Sequence, residues 1–167
     1  MIELFGQQQI EIRTRILAKD ISDEHRGDKT PVVMICVLNG GFMFYTELVK
    51  ALTTDIECDF VRVKSYVSKN NQGDIKITKD LEIPIKGKHV YLVDDIFDSG
   101  NTMKALIEFI KIKNPKSINV VTLAKRKKTE PLENMVWGFE VDEEWLCGMG
   151  MDNENGHLRN HPVLYAL

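Results

Sequence analysis

The stretch that decides the fold reads Val90-Tyr91-Leu92-Val93-Asp94-Asp95-Ile96-Phe97-Asp98-Ser99-Gly100-Asn101-Thr102-Met103. Its first four residues carry no charged side chain, which is typical of a strand covered on both faces in a parallel sheet. An unpaired carboxylate buried in such a strand would be costly, so Asp94 and Asp95 are predicted to mark the exit from the sheet. Apolar residues then recur at helical spacing, at Met103, Leu106, Phe109 and Ile110.

Residues 99–102 join the predicted strand to the predicted helix and combine hydroxyl groups with a glycine. Backbone N–H groups at a helix N-terminus lack partners inside the helix and form a ready site for an anion. The pattern indicates a phosphorylated sugar whose phosphate is bound by residues 99–102 and whose diol is held by Asp94 and Asp95. A carboxylate inside this loop would repel the phosphate, so Asp98 is assigned to proton chemistry. For the loop alone, an ordinary turn followed by a helix N-cap is an equally good interpretation.

The rest of the chain alternates between helical and strand patterns, which is typical of an α/β fold. We predict a mostly parallel twisted sheet with helices on both faces. Ligands of such sheets bind beyond the carboxyl ends of the strands. The other predicted helices lie near residues 8–24 and 44–52, with a third at 102–112, and the other predicted strands are 32–38, 60–67 and 118–124.

Length and composition indicate one globular unit. The chain has 167 residues, of which 43% are hydrophobic, enough for one full core and too few residues for two ordinary domains. We expect a single domain over residues 1–167. The net charge of -3 and the pI near 5.8 argue against a protein built mainly to hold nucleic acid.

The cysteines and the N-terminal residues indicate the cellular compartment in which the protein is expected. Cys36, Cys58 and Cys147 are odd in number and lack a C-x-x-C spacing, so we expect reduced thiols and a cytoplasmic protein. The N-terminus lacks a basic segment followed by an apolar one, and no apolar run approaches the roughly 20 residues that cross a bilayer. We therefore expect no membrane partner.

Residues 90–102 resemble the phosphoribosyl pyrophosphate signature of the type I phosphoribosyltransferases. That signature is an apolar strand, two acidic residues, two apolar residues, Asp, Thr or Ser, Gly, any residue and Thr, and every fixed position is filled here. Within the superfamily, the chain from about residue 10 to about residue 160 is most similar to the hypoxanthine (hypoxanthine-guanine) phosphoribosyltransferases. The resemblance implies transfer of the phosphoribosyl group to hypoxanthine or guanine, with Mg²⁺ as cofactor. It further implies a small hood formed by the terminal segments and a homodimer or homotetramer.

The resemblance also assigns the sugar and pyrophosphate contacts. Asp98 is implied to be the catalytic general base, and Leu38–Asn39 is implied to be a cis peptide bond. Ribose and 5′-phosphate are assigned to Asp94, Asp95, Asp98, Ser99, Gly100, Asn101 and Thr102. Pyrophosphate is assigned to Leu38, Asn39, Gly40 and Arg159, and the metal ion to Asp94, Asp95 and Asp152.

Recognition of the base and closure of the site are assigned in the same way. Lys125 would donate to the exocyclic oxygen of a 6-oxopurine, Trp145 would stack on the ring, and the main chain of Leu146 would contact its edge. Ser65 and Tyr66 would belong to a lid that excludes water from the reacting sugar. A cation at residue 125 disfavours the amino group of adenine, because two donors would then face each other.

Two features depart from the family pattern. Many relatives carry a basic residue where this chain has the neutral Asn39, which removes a charge from the pyrophosphate loop. Residues 155–157 lengthen the spacing before Arg159 by about one residue.

Simpler structural interpretations stay open for several segments. Gly40 and Gly41 are also explained by a turn, and residues 65–76 by a mobile hairpin connection. Lys127 and Lys128 fit a solvated face, and Trp137 and Phe139 fit core positions.

Two other functions stay open as well. An RNA-binding regulator on the same fold is the non-catalytic alternative, although such regulators generally lack an acidic residue at position 98. The other is a related transferase for xanthine, adenine or a pyrimidine. Lys125 and Trp145 argue against adenine and pyrimidines but do not separate the three 6-oxopurines.

Overall fold

The computed structural model describes the backbone of residues 1–68 and 71–167, and the side chains of these residues except 65–68 and 71–74. Three helices and nine strands lie within this part of the chain. In order they are β1 (Ile2–Phe5), α1 (Gln7–Glu24), β2 (Val32–Leu38), α2 (Phe42–Ala51), β3 (Ile56–Ser68), β4 (Asn71–Lys79), β5 (His89–Phe97), α3 (Asn101–Lys111), β6 (Ser117–Arg126), β7 (Met135–Val141), β8 (Leu146–Cys147) and β9 (Leu164–Ala166).

The main sheet has six strands in the order β4-β3-β2-β5-β6-β7. Neighbours from β3 to β7 pair in parallel, and β4 runs antiparallel to β3 at one edge. The central strand β2 is apolar because both of its faces are covered. Val33 and Ile35 face one buried cluster, and Met34 and Cys36 face the other.

Helices cover the two faces of this sheet. On one face, α1 and α2 bury Leu17 and Leu48. On the other, α3 buries Leu106 and Ile110. The mostly parallel sheet with helices on both faces is therefore confirmed.

A second, three-stranded sheet has the order β1-β9-β8 and joins the two ends of the chain. Its strands are antiparallel. Phe5 of β1 stacks on Phe139 of β7 with ring centroids 4.0 Å apart. Leu146 and Leu164 belong to the same buried cluster as α1 and α2. This small sheet has the position of the predicted hood, and its shared core favours the prediction of a single domain.

Two strand ends near the predicted site differ from the sequence-based prediction. Asp94 and Asp95 were expected outside the sheet, but β5 continues to Phe97. The reason is that β5 loses only one neighbour at this point. Pairing with β2 ends at Val93, whereas pairing with β6 continues to Phe97↔Lys125. Lys125, expected just after β6, lies within it for the same reason.

The predicted lid falls largely outside the described residues. The backbones of Ser65 and Tyr66 lie in β3, paired with Ile75 and Asp74 of β4. The side chains of Ser65 and Tyr66, and all of residues 69–70, lie outside the described part, so the lid stays a prediction.

Within the described part of the chain, no helix combines the length and the apolar character needed to cross a membrane. Cys36, Cys58 and Cys147 are free thiols.

Candidate active site

Asp94 and Asp95 stand side by side, partly buried, where β2 ends beside β5. The N–H of Asp95 donates to Asp94 Oδ1 at 2.9 Å, and the N–H of Ile96 donates to Asp95 Oδ1 at 2.7 Å. Burial and the neighbouring charge of Asp95 raise the pKa of the Asp94 carboxyl well above its usual range. Burial also raises the pKa of Asp95, and the charge of Arg159 partly offsets that rise. The pair is therefore poised to receive a cation or a hydroxyl donor.

Glycines let two backbone segments pack close to this acidic pair. A Cβ at Gly40 would lie 1.9 Å from Asp95 Oδ2, and a Cβ at Gly150, whose φ is +99°, would lie 2.0 Å from the carbonyl oxygen of Gly40. The peptide bond Leu38–Asn39 at the entry to this loop is cis, as the resemblance implies. Gly150 was missed by the sequence analysis. Its one signal is the short spacing of Gly148-Met149-Gly150.

The predicted phosphate loop makes a tight turn ahead of α3. Gly100 has φ +81°, and a Cβ there would lie 2.6 Å from the ring of Phe97. The N–H of Asn101 donates to Ser99 Oγ at 3.3 Å, and the N–H of Lys104 donates to the Gly100 carbonyl at 2.9 Å. The turn interpretation and the anion-site interpretation therefore describe the same geometry: a turn that opens the N-terminus of α3 at the carboxyl edge of the sheet.

Asp98 follows Asp94 and Asp95 at the end of β5, and 68% of its side chain is exposed. Two residues, Arg126 and Thr129, contact it. Arg126 Nε lies 2.9 Å from Asp98 Oδ1, and Thr129 Oγ1 donates to the Asp98 carbonyl at 2.6 Å. The same guanidinium donates through Nη1 to the carbonyls of Asp142 and Glu144, just before Trp145. Arg126 therefore ties Asp98 to the segment that carries the predicted base contacts.

The role of Arg126 was missed by the sequence analysis. The contact follows from the order and register of the strands, which only the structure shows. In a parallel pair that aligns Phe97 with Lys125, the next residues, Asp98 and Arg126, also come together.

These elements enclose a cavity of about 200 Å³. Its walls combine carboxylates, one guanidinium, one aromatic ring and apolar side chains. They are Asp95, Ile96, Asp98, Arg126, Trp145, Leu146, Met151 and Asp152. Trp145 is 62% exposed, and its Nε1–H donates to the Asp152 carbonyl at 3.3 Å.

Arg159, the predicted pyrophosphate contact that follows the lengthened spacing, lies close to the acidic groups of the site. Its Nη2 lies 2.6 Å from Asp152 Oδ2, and its Nη1 donates to the Gly150 carbonyl at 2.6 Å. The one-residue insertion before it therefore does not remove this cation from the acidic groups.

A larger hollow in the described structure, about 520 Å³ beside the C-terminal half of α3, is lined by none of the predicted site residues. The small cavity is the better candidate because the chemically distinctive side chains converge there.

Of the three predicted base contacts, Lys125 is the one that does not line the cavity. It is only 3% exposed, and its ammonium donates to the carbonyls of Arg126 at 2.8 Å and Thr129 at 3.0 Å. It also lies 3.5 Å from Glu140 Oε1 and 5.2 Å from the ring centroid of Trp137. Its contact with a base stays a prediction and requires the side chain to reorient.

The fold is that of a phosphoribosyltransferase, and the family model of the phosphoribosyl transferase domain matches residues 3–154. Hypoxanthine-guanine-xanthine phosphoribosyltransferase of Tritrichomonas foetus is 38% identical, with 98% of this chain and 90% of the relative covered. Hypoxanthine-guanine phosphoribosyltransferase of Aquifex aeolicus is 36% identical, with 98% and 93% covered. The chain belongs to the family of the hypoxanthine (hypoxanthine-guanine) phosphoribosyltransferases.

A solved structure agrees with this assignment. The crystal structure of a hypoxanthine phosphoribosyltransferase from Staphylococcus aureus matches with a TM-score of 0.90 at 27% identity, covering 99% of this chain and 90% of that chain. The predicted family and fold are confirmed.

The raised pKa values lead to a prediction about stability. Asp94→Asn removes one of two partly buried like charges, so we expect it to stabilise the protein at pH 7.5 relative to the wild type. A carboxyl whose pKa is raised in the native state binds protons there before it does in the unfolded chain. The free energy of unfolding of the wild type should therefore be only slightly below that of Asp94→Asn at pH 4. The difference should grow as the pH rises through the raised pKa.

Urea unfolding of both proteins between pH 4 and pH 8 measures this difference. Asp20→Asn, at an exposed position of α1, is the matched control and should change stability little at any pH. Equal stability of the wild type and Asp94→Asn at pH 7.5 would contradict the repulsion inferred for the pair.

Proposed function

We propose that the protein transfers the phosphoribosyl group of phosphoribosyl pyrophosphate to a ring nitrogen of hypoxanthine or guanine, forming IMP or GMP and releasing pyrophosphate. The observation that carries this proposal is the cavity in which Asp98 and Trp145 face the carboxylates Asp95 and Asp152. A planar base needs an aromatic surface such as Trp145, and a sugar substrate that binds with a metal ion needs carboxylates such as Asp95 and Asp152 beside it.

The sugar would lie along the end of β5. Asp94 and Asp95 would accept hydrogen bonds from the ribose hydroxyls, a role favoured by carboxylates whose burial makes them strong acceptors. The 5′-phosphate would bind the loop 99–102 at the N-terminus of α3. The pyrophosphate would lie against Leu38, Asn39 and Gly40, where Gly40 keeps the loop close to Asp95. Many relatives carry a basic residue at the position of the neutral Asn39, and Arg159 would supply the positive charge in its place.

The base would stack on Trp145, with the main chain of Leu146 at its edge. Asp98 would accept the proton that the purine nitrogen loses on forming its new bond to the sugar. The transferring sugar resembles an oxocarbenium ion, so the carboxylates near it favour the transition state electrostatically.

Mg²⁺ is the proposed cofactor, and the donor set fits it. Asp94, Asp95 and Asp152 offer only oxygen ligands, which Mg²⁺ prefers and shares with phosphate groups. When bound, the ion would neutralise the departing pyrophosphate.

Assembly and location stay predictions. α1 exposes Ile12 at 52% and Ile16 at 44%, which favours burial of this helix in a homodimer or homotetramer. The free thiols fit the expected cytoplasmic location.

The proposed reaction is tested by incubating the purified protein with Mg²⁺, phosphoribosyl pyrophosphate and one base at a time, and following nucleotide formation by chromatography. The bases are hypoxanthine, guanine, xanthine, adenine and uracil. We expect product from hypoxanthine or guanine. Product only from adenine or uracil would contradict the proposed base recognition. Absence of product from every base, together with an RNA gel shift, would instead favour an RNA-binding regulator.

Asp98→Asn tests the general base. Loss of the proton acceptor should lower kcat about 10²–10⁴-fold while substrate binding persists. Steady-state kinetics and a fluorescence titration with the base measure the two effects. Asp142→Asn, at another exposed aspartate near the site, is the control and should keep kcat near that of the wild type. Unchanged turnover of Asp98→Asn would remove Asp98 from this role.

Arg126→Gln tests whether the guanidinium positions Asp98 and the segment before Trp145. We expect kcat to fall and the KM for the base to rise together, because one side chain holds both groups. Lys127→Gln, which removes a neighbouring exposed cation that pairs with Asp142, should change neither constant appreciably. A fall in protein stability with unchanged kinetic constants would mean that Arg126 is purely structural.

A further inference from the structure

A second cluster of ligand-type side chains lies at the opposite, amino-terminal edge of the main sheet. His25 follows the end of α1, Asp28 lies in the turn before β2, and His89 begins β5. Their ligand atoms all lie within 4.8 Å of one another. The proposed transfer uses none of these residues, because its substrates bind at the carboxyl edge.

We propose that His25, Asp28 and His89 bind a divalent transition-metal cation of the Zn²⁺ type. Two imidazoles and one carboxylate, with a fourth position left for water, are a donor set that Zn²⁺ accepts. His89 Nε2 lies 3.0 Å from Asp28 Oδ2. Ligand atoms around tetrahedral Zn²⁺ lie about 3.3 Å apart. Two of the three side chains are therefore already at ligand spacing, and all three lie within 4.8 Å of one another.

Outer hydrogen bonds hold both imidazoles, as they do for most metal-binding histidines. His89 Nδ1 lies 2.6 Å from Ser117 Oγ, which leaves Nε2 directed at Asp28. His25 Nε2 lies 2.7 Å from the Tyr91 hydroxyl, which itself donates to Glu24 Oε2 at 3.2 Å. The Tyr91 oxygen therefore accepts from His25 Nε2–H, and the other ring nitrogen, Nδ1, keeps its lone pair.

Burial and charge decide how a cation would reach the cluster. His25 is 5% exposed, whereas 35% of the Asp28 side chain is exposed, so the open side lies at the carboxylate. Lys116 Nζ stands 3.8 Å from Asp28 Oδ2 and donates to Thr30 Oγ1 at 2.9 Å. This ammonium opposes the incoming cation, so its removal should tighten binding. A bound ion would join the end of α1, the turn before β2 and the start of β5.

The first experiment uses the wild-type protein, treated with chelator and held in buffer without Mg²⁺. Zn²⁺ is added while calorimetry follows binding and NMR follows the histidine ring signals. We expect one ion per chain, with shifts of the His25 and His89 signals and none for His157 and His161. Zn²⁺ binding that leaves His25 and His89 unmoved would overturn the proposal, because the ion would then lie elsewhere, for example at the carboxylates of the active site.

Variants then separate the ligands from their surroundings. His89→Gln should abolish the calorimetric signal, and Ser117→Ala should weaken binding by about 10–100-fold. Lys116→Gln should tighten binding several-fold. His157→Gln, at an exposed histidine, is the matched control and should bind as the wild type does. Equal Zn²⁺ affinity of His89→Gln and the wild type would overturn the proposal.

Circular dichroism checks that each variant is folded. If His89→Gln fails to fold, the ring signals of the wild type still decide the question. Nucleotide formation does not enter either readout, so this proposal and the proposed transfer can fail separately.

Discussion

Asp94 and Asp95 are held side by side at the one point where β5 has lost its pairing with β2 and still keeps its pairing with β6. Desolvation and mutual repulsion make this arrangement unfavourable for two ionised carboxylates. The surrounding sheet supplies the stability that allows it, because β2 and β5 are buried on both faces. Ligands that bring hydroxyl groups or a cation relieve the repulsion, so the same constraint that weakens the isolated fold would strengthen substrate binding.

Steric restrictions as well as charge determine which residues can lie beside Asp94 and Asp95. Gly40 and Gly150 are needed because any Cβ would collide with Asp95 or with the backbone beside it. Arg159 brings a positive charge close to the acidic pair, and its guanidinium is held there by an ion pair with Asp152. Two segments far apart in the chain, around Gly40 and from Gly150 to Arg159, therefore meet beside the two carboxylates. They do so largely through backbone or through the end of a long side chain.

The base side of the cavity depends on a different connection. Arg126 lies at the end of β6 and contacts Asp98 after β5 as well as the carbonyls of Asp142 and Glu144 before Trp145. A single guanidinium, planar and permanently charged, can satisfy three acceptors at once, which a lysine could not do with the same geometry. The opposite edge of the sheet carries the His25, Asp28 and His89 cluster. The candidate active site and this cluster thus lie at opposite ends of the parallel strands.

Local pattern was sufficient for much of this molecule. The apolar run of β2 was predicted with its observed bounds, and α1 and α2 within a residue or two, because burial on known faces leaves a periodic signature in sequence. The contiguous signature from Asp94 to Thr102 identified the family, because its members lie on one strand, one turn and one helix.

Other features were decided only by tertiary structure. The ends of β5 and β6, the contact of Arg126 with Asp98, the approach of Gly150 to Gly40 and the enclosure of the Lys125 ammonium by carbonyls all depend on which strands are neighbours and in which register. Such contacts join residues whose separation along the chain carries no periodicity. The sequence by itself therefore determined the elements and the chemistry of the signature, whereas packing decided which side chains share the cavity.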